Sequence, residues 1–411
     1  MKKVIAISLS PNTTRADVLL ALRFIFSPWL YLSGSCVGLL EQWFKGYFDV
    51  ACAIAFNSGR SSFFAILKAL DITKNDEVII QAFTCVVVPN TILALGAKPV
   101  YVDIQKNLTM DPHDLKRKIS HKTKVIVVQH TLGIPSSMQE IIEIAKTYNI
   151  PVIEDVAHTV GGTYQKHKLG TIGIAGFFSF GRDKAFSSVY GGVVITNNEL
   201  LGKKIQAFRN QMKYPRVAWV VQQLFHPIAF AFILPIYNIF GIGKILLVIF
   251  QQLSFLSFPV TSREKSGIFE IEFVQKMPNA LAGLALQQLQ NMEAVNRKRI
   301  LFVDMYQKEL SALGFDNIYG DLQPLLRYPI LTKKRDELVL YLKQYGVYAG
   351  KWYSEVIDPK GSDLKKVGYV MGSCIVAEET ARTIINLPTH PRMNKQDVEY
   401  IINLLKIYAK H

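Results

Sequence analysis

The chain has few cysteines, few charges for its size and no long charged run. Cys36, Cys52, Cys85 and Cys374 are the only four cysteines in 411 residues. They are too scattered to form a disulfide scaffold, and no CxxC or Cys/His cluster offers a zinc site. That pattern suits a reducing compartment. Charged residues make up only 19% of the chain and hydrophobic residues 50%, which excludes disorder as the main state. A secretory leader is not expected, because the apolar run after Met1-Lys2-Lys3 stops at Pro11-Asn12 without a small-residue cleavage site. Neither a GxGxxG fingerprint nor a GxxxxGK[ST] loop occurs in the right context, so dinucleotide and P-loop readings lose support. Lys and Arg exceed Asp and Glu, giving a formal net charge of +15. An excess of that size points to an anionic partner: a phosphorylated small molecule, an anionic membrane face or nucleic acid. No nucleic-acid motif accompanies it.

The hydrophobic pattern divides the chain into four segments: an apolar helical stretch at 1–50, an α/β domain at 51–215, an apolar insertion at 216–263, and a long helix with a small α/β domain at 264–411. Within 51–215, strands are expected at Glu77–Ile80, Pro99–Val102, Val125–Gln129, Val152–Glu154, Gly176–Phe180 and Val193–Thr196. Helical patterns at Ser62–Leu70, Val87–Leu95 and Ser137–Tyr148 lie between them. Such alternation predicts a mainly parallel sheet with helices on both faces. Beyond 264 the pattern predicts a helix over Asn279–Leu310, a strand over Leu326–Leu331, and helices over Lys334–Tyr345 and Lys395–Tyr408.

The insertion is unusual. Between Arg216 and Arg263 the one formally charged residue is Lys244. Each uncharged half is long enough to cross a hydrocarbon core of roughly 30 Å. Pro227, Pro235 and the Asn238, Gly241, Gly243 cluster break the run, which favours a re-entrant or interface-lying hairpin over two spans. Packing inside the protein or at a dimer interface is the alternative. The aromatic stretch before residue 50, with Phe24, Trp29, Trp43 and Phe44, poses the same choice between core, subunit interface and membrane contact.

Three elements carry chemistry. In Val152-Ile153-Glu154-Asp155-Val156-Ala157-His158 a strand ends in a carboxylate, where ligands bind in α/β sheets; a plain capping role for Asp155 is the bland alternative. In Phe177-Phe178-Ser179-Phe180-Gly181-Arg182-Asp183-Lys184 a strand delivers Ser179 and then Lys184 into a loop that ends in paired glycines. A buried Lys can lose its proton and attack a carbonyl. In Phe56-Asn57-Ser58-Gly59-Arg60-Ser61-Ser62 a glycine and small hydroxyl residues open a helix whose free N–H groups suit phosphate. A phosphate-binding helix start, a strand-end Asp and a Lys about thirty residues later read as a pyridoxal phosphate site. Such chemistry needs an amine to hold the cofactor and a carboxylate to keep its ring nitrogen protonated.

These motifs, with Asp76-Glu77-Val78-Ile79, Gly96-Ala97-Lys98-Pro99-Val100-Tyr101-Val102-Asp103 and Asn386-Leu387-Pro388-Thr389-His390, resemble those of the DegT/StrS-type sugar aminotransferases, a fold-type I pyridoxal phosphate family. The resemblance covers most of 50–210 and 275–405. It implies a mixed, mainly parallel sheet between helices and a smaller C-terminal domain. It makes Lys184 the Schiff-base lysine, Asp155 the partner of the ring nitrogen and His158 a contact of the ring oxygen. Gly59, Arg60, Ser61 and Ser179 would hold the phosphate, and Cys85 stands where the family often has an aromatic that stacks on the ring. The chain also departs from the family in Val189-Tyr190-Gly191-Gly192, in Val274-Gln275-Lys276-Met277, and in the apolar insertion. The function implied is transfer of an amino group, from glutamate, to a keto sugar on a nucleotide carrier in polysaccharide or glycan biosynthesis. A cytoplasmic homodimer is implied, with the inner membrane face as a further location. Related dehydratases carry His in place of the lysine, which Lys184 opposes. A non-catalytic, membrane-attached binding or regulatory protein on the same fold is the rival class.

Overall fold

The computed structural model describes residues 4–8, 10–237, 239–313, 315 and 320–410. The N-terminal Met1-Lys2-Lys3, Leu9 at the end of the first apolar run, and Asn238 of the insertion's glycine cluster lie outside the described residues.

Seven strands form the central sheet: β1 (Cys52–Phe56), β2 (Glu77–Gln81), β3 (Lys98–Val102), β4 (Thr123–Gln129), β5 (Val152–Asp155), β6 (Ala175–Ser179) and β7 (Gly192–Thr196). Their order is β1-β7-β6-β5-β4-β2-β3. All neighbours are parallel except at β7, which runs antiparallel to both β6 and β1. The expected strands are all present, within one to two residues. β1 was not expected: Cys-Ala-Ile-Ala-Phe carries a single β-branched residue, and alanine has little strand preference. It forms because β7 offers it an edge and both sheet faces bury it.

Both faces of the sheet are covered, and adjacent residues of β6 show how. Phe177 stacks on Phe63 of helix α3 (Gly59–Ala69), with ring centroids 5.1 Å apart. Phe178 points the other way, 4.9 Å from Phe48 and 5.1 Å from Phe44. Those two rings belong to the N-terminal segment, which folds as two helices, α1 (Arg15–Ile25) and α2 (Cys36–Phe48). Period-2 alternation with apolar residues at every position is the signature of a sheet buried on both sides.

The insertion is a helical hairpin, Val217–Ile233 followed by Ile242–Gln252. The first helix buries Val220, Leu224 and Ile228 in the same cluster as Phe24 and Phe178, so this limb is core. The second limb is different: Ile242, Ile245, Val248 and Leu253 are exposed. No helix of the described residues is long and apolar enough to cross a membrane.

The smaller layer pairs β8 (Arg327–Leu331) antiparallel with β9 (Ile384–Pro388). Lys395–Tyr408 forms the last helix, closed at its start by a capping box of Asn394 and Asp397. The single long helix expected over Asn279–Leu310 is two, Asn279–Leu289 and Met292–Ser311. Asn291 leaves the helical region there (φ −106°, ψ 15°), as a side chain that competes for backbone hydrogen bonds tends to do.

Candidate active site

A cavity of about 750 Å³ opens at the carboxyl ends of β5 and β6. Gly59, Arg60, Cys85, Asp155, His158, Ser179 and Lys184 all line it. Strand-end placement explains the convergence: β5 ends at Asp155 and β6 at Ser179, and helix α3 starts beside them.

The start of α3 is built by Ser58, whose hydroxyl accepts the Ser61 amide at 3.2 Å. The amides of Gly59 and Arg60 have no carbonyl one turn back to bond. Gly59 packs on Ser179 so closely that a Cβ would sit 2.8 Å from the Ser179 Cβ. The structure places Ser61 behind the cavity, not in its wall. Ser61 is fully buried, its amide is taken by the cap, and its hydroxyl lies 2.6 Å from Asn57 Oδ1. Arg60 reaches the cavity, but its guanidinium is committed: it pairs with the buried Glu264 and donates to the Pro259 carbonyl at 2.8 Å.

Lys184 follows β6 in a turn closed by its own amide to the Gly181 carbonyl, 3.0 Å. Burial holds its ammonium below the usual lysine range, partly offset by Asp155. Burial pushes the Asp155 carboxyl upward, while the Ala157 amide at 3.0 Å and Lys184 pull it back. His158 is fixed in one state. Its Nδ1 accepts the Leu132 amide at 3.0 Å, so Nε2 carries the proton and faces the Tyr353 hydroxyl at 3.1 Å. Burial and the nearby Lys184 drive its pKa well below 6.5. The Cys85 thiol is pushed up to about 11 by burial, which makes it a neutral wall rather than a nucleophile.

Several lining residues carry no local sequence signal. Trp352 lies 5.0 Å from His158, ring to ring. The Lys184 ammonium sits 4.8 Å from the same indole and the Arg327 guanidinium 4.3 Å. Buried Arg299 bonds the Ala185 carbonyl (3.2 Å), Asn12 (2.8 Å) and Thr389 (3.1 Å). It ties the Lys184 loop to the Asn386–His390 stretch, which gives that motif its structural role. The outer wall comes from the insertion's return limb: Tyr190 donates to the Phe258 carbonyl at 2.7 Å, and Arg182 to the Ser257 hydroxyl at 2.6 Å.

A family model described as the DegT/DnrJ/EryC1/StrS aminotransferase family matches residues 14–224 and 250–406. The chain is 26% identical to the GDP-perosamine synthase of Caulobacter vibrioides over 395 residues, covering 92% of this chain and 91% of that one. Among solved structures it resembles DesV of S. venezuelae (TM-score 0.77, 20% identity, all of both chains). It also resembles NtdA of Bacillus subtilis, solved with bound cofactor PMP (TM-score 0.76, 21% identity, all of this chain and 86% of that one). These likenesses at low identity establish the fold.

Proposed function

Since the chain belongs to the DegT/DnrJ/EryC1/StrS aminotransferase family, we propose that it transfers an amino group from glutamate to a keto sugar on a nucleotide carrier, using pyridoxal phosphate held in this cavity. One observation carries the reading: a half-buried lysine and a buried strand-end carboxylate face one cavity whose far wall is a helix start pressed against Ser179. The residues fit the group. A side chain at position 59 would fill the space over Ser179, and glycine leaves it open. When bound, the cofactor supplies an electron-accepting ring for carbanion chemistry.

The chain's own residues then have separable roles. The first amides of α3 and the Ser179 hydroxyl donate to phosphate. Asp155 favours a proton on the ring nitrogen, and a cation there offsets the cost of burying the carboxylate. Lys184, with its pKa lowered, is available as a neutral amine to hold the cofactor and to carry a proton between neighbouring carbons. His158, neutral and clamped at both nitrogens, fixes the edge of the pocket without changing charge. Lys265 and Lys360 line the cavity and suit a diphosphate. The role of the relative as a GDP-perosamine synthase supports the nucleotide-sugar class. The test is an absorbance band of the purified protein that borohydride removes, absent in Lys184→Ala. A folded variant that retains both band and turnover refutes the assignment.

The proposal includes a homodimer in the cytoplasm, resting on an anionic membrane face through the second limb of the insertion. Ile245 and Leu253 are exposed there, with Phe232 at the end of the first limb and Phe240 between the limbs. No carboxylate occurs between Arg216 and Arg263, while Lys244 lies within the stretch and Lys265 follows it. An exposed apolar helix that carries Lys244 and no carboxylate suits insertion at the headgroup level. The chain pellets with anionic vesicles on this reading; a detergent-free dimer that ignores them assigns the face to protein.

A further inference from the structure

The Lys184 ammonium makes no hydrogen bond or ion pair among the described residues. It meets the Trp352 ring at 4.8 Å and feels Asp155, Cys85, Arg327 and Asp183 through space. An amine at the end of a flexible four-carbon stem takes its place from its backbone, and this backbone is clamped on both sides. The Lys184 amide donates to the Gly181 carbonyl at 3.0 Å. The Lys184 carbonyl accepts from the side-chain amide of Asn12, 172 residues away in the chain. Asn12 is 1% exposed. Its Oδ1 accepts from Arg299 Nη2 at 2.8 Å, and the same guanidinium nitrogen donates to the Ala185 carbonyl at 3.2 Å. Two successive carbonyls of the lysine loop are thus capped from one buried cation, the first of them through Asn12.

We propose that Asn12 is a positioning residue for Lys184: it fixes the lysine's carbonyl outside the cavity wall and so aims the amine into the cavity, against Trp352. The position calls for an amide. One short, neutral, buried side chain must donate at one end and accept at the other. Aspartate would satisfy Arg299 but turn an acceptor on the Lys184 carbonyl, and alanine would serve neither. The Arg299 donor and the Lys184 acceptor also fix which way round the amide sits. The segment that carries Asn12 supports the amine's other neighbour as well. Ile5 and Ala6 pair with Val347 and Tyr348, a few residues before Trp352, and Ile7 and Ser8 line the cavity. A single stretch of chain therefore braces both the backbone that bears the amine and the approach to the ring it rests on.

This inference deepens the aminotransferase reading and rests on it for what the amine does. The test uses the full-length protein stripped of cofactor with hydroxylamine. Hydrogen exchange of the 181–187 loop reports whether the backbone is held. Trace acetylation of Lys184 across a pH series, read by mass spectrometry, reports the amine's titration. Asn12→Asp keeps an acceptor for Arg299 and is expected to stay folded. Its loop should exchange about 3–10-fold faster, the loss of one hydrogen bond, and Lys184 should titrate higher as water reaches it. Asn12→Ala is expected to show both changes with a lower melting midpoint. Unchanged loop exchange in folded Asn12→Asp overturns the proposal, even where the alanine variant does not fold and even where Lys184 titrates higher, since the added charge alone would do that. Faster exchange with the Lys184 titration unmoved makes Asn12 a structural tie and overturns the positioning role. Absence of a borohydride-sensitive band in the untreated wild type refutes the aminotransferase reading, while the exchange and labelling results stand separately.

Discussion

Replacing Gly59 by alanine tests whether the cradle at the start of α3 requires glycine for space. The added Cβ meets the Ser179 Cβ at 2.8 Å, the Ser179 Oγ at 3.1 Å and the Phe178 carbonyl oxygen at 3.5 Å. Carbon atoms in contact prefer roughly 3.5–4.0 Å, so helix and strand must separate by most of an ångström. The atom in the way is a Cβ fixed to β6, not the end of a flexible chain. Overpacking of this kind costs about 1–3 kcal/mol, and the helix preference of alanine over glycine returns up to ~1 kcal/mol. A net loss of about 1–2 kcal/mol lowers the melting midpoint by a few degrees. The larger effect falls on cofactor affinity, because the same shift moves the α3 amides away from Ser179. Thermal melts and a fluorescence titration with pyridoxal phosphate separate the two. Adding Ser179→Gly removes the obstructing Cβ, so the double variant should recover stability and not affinity, since the hydroxyl donor is gone. Wild-type affinity and melting in Gly59→Ala refute the steric argument. Recovery of affinity in the double variant shows that Ser179 does not hold the phosphate.

Glu264→Gln should cost about 3–5 kcal/mol, because it leaves Arg60 charged in a buried place; a denaturant titration showing less than 1 kcal/mol removes the pair from the wall's support. Native His158 refuses a proton that the unfolded chain accepts below its ordinary value of 6.5. The unfolded state then binds more protons, so stability falls as pH is lowered through 6.5, by up to ~1.4 kcal/mol per pH unit. His226, buried and likewise lowered, adds to the slope, and His158→Gln should reduce it by about half between pH 6.5 and 5; an unchanged slope shows His158 to be protonated in the folded state. Serine at Phe232, Phe240, Ile245 and Leu253 should release the chain from anionic vesicles without altering the cofactor band; retained pelleting would place the membrane contact elsewhere.

Sequence patterning exposed those parts of the fold whose signal is local. The strands from Glu77 to Thr196 are β-branched runs between turn residues, and all appear. Cys52–Phe56 was hidden because its pairing with β7 joins residues about 140 apart, and alanine gives no local cue. The helix after Asn279 was read as one because its apolar period continues through Asn291, where the backbone turns. At the site, Gly59, Asp155 and Ser179 were legible because each starts a helix or ends a strand, and His158 and Lys184 because they follow a strand end in a recognisable string. Arg327, Trp352 and Arg299 were not. Each is a lone residue whose meaning comes from the second layer folding over the first. Ser61 shows the opposite limit, since a hydroxyl beside a phosphate-type helix start serves equally well as an internal cap.

The insertion joins the surface to the chemistry more closely than its composition suggested. An uncharged stretch reads as a removable appendage that a linker over residues 218–260 could replace. The structure argues otherwise. Val220, Leu224 and Ile228 complete the cluster behind Phe178, and Phe258 to Val260, next to Ser257, form the outer wall of the cavity. Arg60, Arg182 and Tyr190 all spend hydrogen bonds on that wall. Removing it would take the Ser257 acceptor from Arg182, leave Arg60 with Glu264 alone, and open the Lys184 end to water, where the shift that makes its amine available would shrink. The family model passes over 225–249 and resumes at 250, which includes the wall. The unmatched stretch contains the exposed Phe232, Phe240, Ile242, Ile245, Val248 and Ile249. The chain therefore places its departure from the family on the far part of the hairpin, mainly the exposed second helix, and keeps the segment after that helix at the mouth. A surface bound by the first is one short segment away from the cavity shaped by the second.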